Sequence, residues 1–229
     1  MLIYLFELRR RTLYIFIWFS LIFSLFFFIA GDLFHALVSP LLAYLPHKHG
    51  LIATQITSPV LIPLQLAADA ALLLSAPFAL YQLWLFVSPA LYRKEQKQLR
   101  GAIWLSLILF LLGALFCFYL VLPFMFQLFT HALPKDIQFM PDMAYAFDFI
   151  IRMLMLFGFC FQVPLICLVL IRFNLTDVAT LKKIRPYVIV GAFILGMLLT
   201  PPDVLSQIML ALPLCVLYEA GIVLARLNR

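Results

Sequence analysis

The sequence predicts an all-α integral membrane protein of six transmembrane helices, and three observations carry that prediction. Hydrophobic residues make up 66% of the chain and charged residues 11%, against about 45–50% and about 25% in soluble domains. The 229 residues contain six apolar runs of roughly spanning length, at about 12–30, 64–87, 102–129, 145–171, 186–200 and 204–224. Basic residues gather in alternate connecting segments, the pattern of a chain threaded back and forth across a bilayer. The mean hydropathy, +1.11, agrees. No repeat or low-complexity segment interrupts the chain, which is expected to form one membrane domain over residues 1–229.

The first run follows Arg9, Arg10 and Arg11. A cleaved signal peptide would also open on basic residues, but its apolar core is usually ~7–15 residues and Glu7 is out of place in its charged region. The run is therefore expected to be a span. The second and third runs are joined by segment 88–101, which holds Arg93, Lys94, Lys97 and Arg100. The fourth and fifth are joined by segment 172–185, which holds Arg172, Lys182, Lys183 and Arg185. Arg226 and Arg229 follow the sixth. Thirteen of the sixteen Lys and Arg thus fall on one side, and only Lys48 and Lys135 on the other. Both termini are expected in the cytoplasm, and the net charge of +6 reflects orientation rather than nucleic-acid binding.

The fifth run is short. From Pro186 to Thr200 is 15 residues, roughly 22 Å of helix against a hydrocarbon core of about 30 Å. The turn after it, "LLTPPDVLSQ" (198–207), is minimal: Pro201 and Pro202 end one helix and Asp203 suits the N-cap of the next. Thr200, Asp203, Ser206 and Gln207 then form a polar cluster near the external face. Capping with an interfacial rim explains them, and so does a docking site.

The chemistry of soluble enzymes is missing. There is no P-loop, HExxH or GxSxG. Cys117, Cys160, Cys167 and Cys215 all lie in apolar runs without a CxxC pair, as small buried hydrophobes do. His35, His47, His49 and His131 fall in external segments, where solvation is the expected state. No catalytic residue, cofactor or metal is expected.

Acidic residues are more informative. Glu7 in "YLFELRRR" and Glu95 in "FVSPALYRKE" sit among bases at the cytoplasmic rim. Pairing with neighbouring bases accounts for them, and so does recognition of a cationic ligand, since a carboxylate matches a guanidinium bidentately. Within the spans, "AFDFIIRML" places Asp148 and Arg152 at i,i+4 on one helix face. Asp69 in the second span is expected at a similar depth. An unpaired arginine there costs at least ~2.5–3.5 kcal/mol. Arg152 is therefore expected to pair with Asp148, with Asp69 joining if the two helices face each other; snorkelling of Arg152 alone is the competing account.

Four ordered blocks resemble the TatC family, the multispanning receptors of the twin-arginine translocase: "ELRRR" (7–11), "LLSAPFALYQLWLFVSPALYRKE" (73–95), "FGFCFQVPL" (157–165) and "KKIRPYVIVGAFILGMLLTPPDVLSQ" (182–207). The resemblance runs nearly end to end. It implies a concave six-helix protein that is not an enzyme and needs no cofactor. It implies a place in the bacterial inner membrane, binding of twin-arginine signal peptides on the cytoplasmic side, and export of folded proteins with TatA- and TatB-like single-span partners, driven by the proton motive force. A homo-oligomer within a receptor complex is also implied. Carried over by position, Glu7, Arg9, Phe86, Pro89 and Glu95 are signal-peptide contacts. Met197, Thr200, Pro201, Pro202, Asp203 and Gln207 fall where the family docks partner helices.

Two departures matter. Tyr4 stands where the family signature usually has His, so any role of that imidazole is absent. Gln162 stands where the fourth span of the family often has Glu, which removes a buried charge and argues against proton sensing there. Of other classes, a secondary transporter or channel would favour inverted repeats and helices broken at the midplane. An intramembrane enzyme would need paired catalytic groups in the spans.

Overall fold

The computed structural model describes residues 2–29, 58–87, 93–131, 142–173, 175–199 and 204–227. Helices account for nearly all of them. Among the described residues, eight α-helices and one π-helical turn build six rods: α1 (Leu2–Phe28), α2 (Ser58–Val87), α3 (Arg93–Phe116) running through a π-helical turn (Cys117–Val121) into α4 (Leu122–His131), α5 (Met143–Cys160) followed by α6 (Val163–Arg172), α7 (Val178–Leu199) and α8 (Val204–Leu227). Among the described residues, five stretches are long and apolar enough to cross a membrane: Phe6–Phe28, Leu61–Leu85, Gly101–Thr130, Met143–Arg172 and Gln207–Arg226. The fifth rod, α7, is not among them, because Lys182, Lys183 and Arg185 occupy its first half. The short fifth span read from the sequence is this rod's apolar remainder.

Several helices overrun the expected spans. α1 begins at Leu2, so Glu7 and the three arginines lie on helix. α3 begins at Arg93, so most of the expected loop 88–101 is helical, Glu95 included. α7 begins at Val178, so Pro186 is inside a helix rather than at its start. α2 begins at Ser58, taking Pro59 and Pro63 out of the expected loop. The reason is common to α1, α3 and α7. Apolarity marks where lipid begins, whereas Arg, Lys, Glu and Gln continue a helix into water with little cost in propensity. Pro59 is tolerated because a first-turn N–H has no intrahelical partner.

The fourth span, expected as one helix, breaks between α5 and α6. Pro164 has no N–H and its ring crowds the carbonyl four residues back. The chain tightens there, with the Gln162 amide donating to the Phe159 carbonyl at 2.9 Å. α5 itself starts on a side-chain cap, Asp142 Oδ1 accepting the Ala144 amide at 2.8 Å.

The chain forms two compact units, Met1–Leu107 with Phe129–Arg152, and Ile108–Leu128 with Met153–Arg229. In the first, α1 packs on α2, and Trp18 stacks on Phe78 with ring centroids 5.1 Å apart. The α2 residues Leu66, Ala67, Ala70 and Ala71 are fully buried, small side chains that let helices approach closely. Trp84 Nε1 donates to Ser106 Oγ at 3.1 Å, tying α2 to α3. In the second, α6, α7 and α8 enclose a core of Cys167, Leu181, Tyr218 and Ile222. Gly221 of α8 lies so close to α6 that a Cβ there would stand 2.9 Å from Pro164 Cα.

Candidate functional site

The start of α1 places Glu7, Arg10, Arg11 and Tyr14 on one face, at helical spacings of three, four and seven. The end of α2 brings Tyr81, Gln82 and Leu85 against them. Together these seven residues line an open groove of about 290 Å³.

Within it, Arg11 donates to Glu7 Oε1 through Nη2 at 2.5 Å and Nε at 3.2 Å. Its third bond runs from Nη1 to Gln82 Oε1 at 3.4 Å, across 71 residues of sequence. The Arg11 side chain is only 18% exposed, so this pair is partly withdrawn from solvent. Arg10 Nε donates to the Tyr14 hydroxyl at 2.8 Å, and its guanidinium carbon lies 5.5 Å from the Tyr14 ring centroid. A carboxylate, an amide oxygen and two phenol rings form a set of acceptors and π faces that suits guanidinium groups.

Of the residues expected to contact a signal peptide, Glu7 lines the groove. Arg9 is exposed on α1 and is not part of the lining. Phe86 lies in α2 and Glu95 in the first turn of α3, but their side chains, like all of Pro89, fall outside the described residues. Gln82, Tyr14 and Tyr81 were not singled out from the sequence. The one local hint was a glutamine inside the apolar string "LYQLWLF".

Of the expected docking residues, Met197 is 68% exposed. Gln207 is turned inward: its Nε2 donates to the Phe193 carbonyl at 2.9 Å, and its side chain rests on Gly196. Thr200, Pro201, Pro202 and Asp203 lie outside the described residues, although α7 and α8 end and begin on either side of them. His35, His47 and His49 are also outside the described residues.

The intramembrane pair is present. Arg152 Nε donates to Asp148 Oδ1 at 2.8 Å, with side chains 63% and 34% exposed. Asp69 of α2 is within electrostatic reach of both and is hydrogen-bonded by Gln65. Its Oδ2 is buried without a hydrogen-bond partner among the described residues. Gln162 is buried at the α5–α6 break, in the other compact unit. A further pair escaped the sequence reading. Arg185 Nη2 donates to Glu219 Oε2 at 2.7 Å, beside a bond from the Tyr218 hydroxyl to the Leu181 carbonyl at 2.8 Å. No cluster of His, Cys, Asp or Glu that would hold a metal occurs among the described residues.

Residues 4–213 match the family described as Sec-independent protein translocase protein (TatC). The Sec-independent protein translocase protein TatC of Haemophilus influenzae is 40% identical over 223 residues, covering 97% of this chain and 87% of the relative. The protein of the same name from Escherichia coli K12 is 39% identical over 223 residues, covering 97% and 86%. A solved structure, the crystal structure of the twin-arginine translocase receptor TatC, superposes with a TM-score of 0.87 at 31% identity, covering 99% of this chain and 100% of that one.

Proposed function

The chain belongs to the TatC family of Sec-independent protein translocase proteins, and from that premise we propose that its α1–α2 groove receives the consecutive arginines of twin-arginine signal peptides. The family is one of translocase components and not of enzymes. The observation that carries the reading is the position of Glu7, a half-buried carboxylate in a groove also lined by an amide, two phenols and the Arg10 and Arg11 side chains. Glu95, in the basic first turn of α3, supplies a second carboxylate on the same side of the sequence-derived topology. That side is the cytoplasm, where thirteen of the sixteen Lys and Arg fall.

In this reading the protein is a multi-pass receptor of the bacterial inner membrane, with both termini cytoplasmic. TatA- and TatB-like single-span partners dock at the external ends of α7 and α8, through exposed Met197, Gln207 and the residues between the two helices. Folded cargo then crosses using the proton motive force, and several copies of the chain assemble in the receptor complex. The short apolar stretch of α7 supports docking at that end, because lipid beside a short hydrophobic span thins and favours association.

Binding of a fluorescent twin-arginine peptide to the purified protein in nanodiscs tests the site. Glu7→Ala and Glu95→Ala should each cost ~1.5–3 kcal/mol, as for hydrogen bonds to charged groups, and the matching Gln variants less. A twin-lysine peptide that binds as tightly as twin-arginine would remove the basis of the reading.

A further inference from the structure

Arg10 and Arg11 are themselves consecutive arginines, and each already makes in the groove a contact that a guanidinium ligand would make. Arg11 holds Glu7 Oε1 with two nitrogens and reaches Gln82 Oε1 with the third. Arg10 holds the Tyr14 hydroxyl and lies against its ring. We propose that the groove is self-occupied: this pair stands in for the two arginines of a signal peptide, and a peptide binds by displacing it. The proposal deepens the receptor reading above and rests on it.

The geometry explains why displacement is required. A ligand guanidinium that engages a carboxylate in parallel, fork to fork, uses both oxygens. Both bonds from Arg11 fall on Oε1, so the fork cannot form until Arg11 lets go. Arg11 sits at i+4 from Glu7 on the same helix, so the stand-in is always at hand and the open groove is a minor state. The apparent affinity of any ligand is then its intrinsic affinity reduced by the fraction of time the groove is open.

Such an arrangement filters ligands. One that brings a single cation exchanges one ion pair for an equivalent one and gains almost nothing. One that brings two adjacent guanidinium groups replaces the contacts of Arg11 and Arg10 together and adds the burial of its own neighbouring residues. Occupation by the chain's own pair is thus a built-in competitor against isolated positive charge, specificity obtained by penalising the wrong partner.

The test separates the loss of the stand-in from the loss of charge. Arg11→Lys keeps the charge, but a compact ammonium replaces the planar guanidinium whose three nitrogens hold Glu7 and Gln82 together. In nanodiscs, Arg11→Lys and Arg11→Gln should each bind the twin-arginine peptide about three- to tenfold tighter than the parent, the effect of losing a competing charged hydrogen bond. If Arg11→Lys binds no tighter, self-occupation is overturned, even where Arg11→Gln does, because relief of repulsion then explains the result. Should either variant fail to assemble, the parent protein decides through the nitrogen NMR signal of the Arg11 Nε–H. Solvent exchange there should be slow without peptide and fast with it, and an unchanged rate at saturation overturns the proposal. A parent protein that does not bind the peptide, or does not lose binding on Glu7→Gln, fails the receptor reading itself. A parent that passes both while Arg11→Lys stays level fails the self-occupation alone.

Discussion

Arg152 and Asp148 are joined across one turn of α5 by a 2.8 Å hydrogen bond, inside a stretch apolar enough to cross a membrane. Asp69 on α2 stands close enough to act on both. The cluster holds two carboxylates to one guanidinium, so Arg152 is the member whose loss strands the most charge. Arg152→Leu alone should destabilise the protein by about 1–3 kcal/mol, the cost of leaving a charged group without its partner. Arg152→Leu with Asp148→Leu should recover much of that loss, because the ion pair is then removed whole and only Asp69, hydrogen-bonded by Gln65, keeps its carboxyl. Thermal unfolding in detergent measures both. A double variant as unstable as the sum of the singles would show that the pair contributes no coupling.

The α6–α8 contact gives a packing prediction. A Cβ on Gly221 would meet the Pro164 backbone, which cannot swing aside. Gly221→Ala should therefore destabilise by ~1–3 kcal/mol, the range for overpacking. Gly191 on α7 has nothing within 4 Å of the same added atom. Gly191→Ala should be neutral, or stabilising by up to about 1 kcal/mol through helix propensity. Equal melting shifts for the two would contradict the close crossing.

Tyr218 and Glu219 are neighbours on α8 with unequal roles. The Tyr218 hydroxyl bond to Leu181 is buried, whereas the Glu219–Arg185 pair is 48% and 40% exposed. Tyr218→Phe should cost about 0.5–1.5 kcal/mol. Glu219→Gln should cost ~0–1 kcal/mol and less at high salt. Melting curves at two ionic strengths distinguish them, and a salt-sensitive loss in Tyr218→Phe would be the contrary result.

Docking at the external ends of α7 and α8 has its own test. Interhelical hydrogen bonds in lipid average about 0.6 kcal/mol, so one substitution should weaken partner capture and several should abolish it. Gln207 also braces the Phe193 carbonyl, so Gln207→Leu loosens the end of α7 as well. Thr200→Val with Gln207→Leu should reduce copurification of a TatB-like partner more than Met197→Ala does. Unchanged copurification in the double variant would sink the docking assignment.

What the sequence by itself determined is whatever depends on one helix at a time. The six rods follow from run lengths, and the Asp148–Arg152 pair from its i,i+4 spacing, whereas the break of the fourth rod before Pro164 is a finding of the structure. The short apolar part of the fifth rod follows from where its basic residues stop. Helix ends were less legible, because apolarity reports the edge of lipid and not the end of hydrogen bonding, as Arg93 and Val178 show. Only the tertiary structure decided what one helix does to another. That Gln82 meets Arg11, that Asp69 faces Arg152, and that Gln207 turns onto Phe193 depend on how each helix is rotated about its axis. In a soluble protein an apolar stripe announces that rotation. Here lipid is as apolar as the interior, so helices such as α1 and α2 are greasy on every side, and the inward face is chosen by small-residue packing and a few polar contacts. Those contacts are visible only once the helices have met.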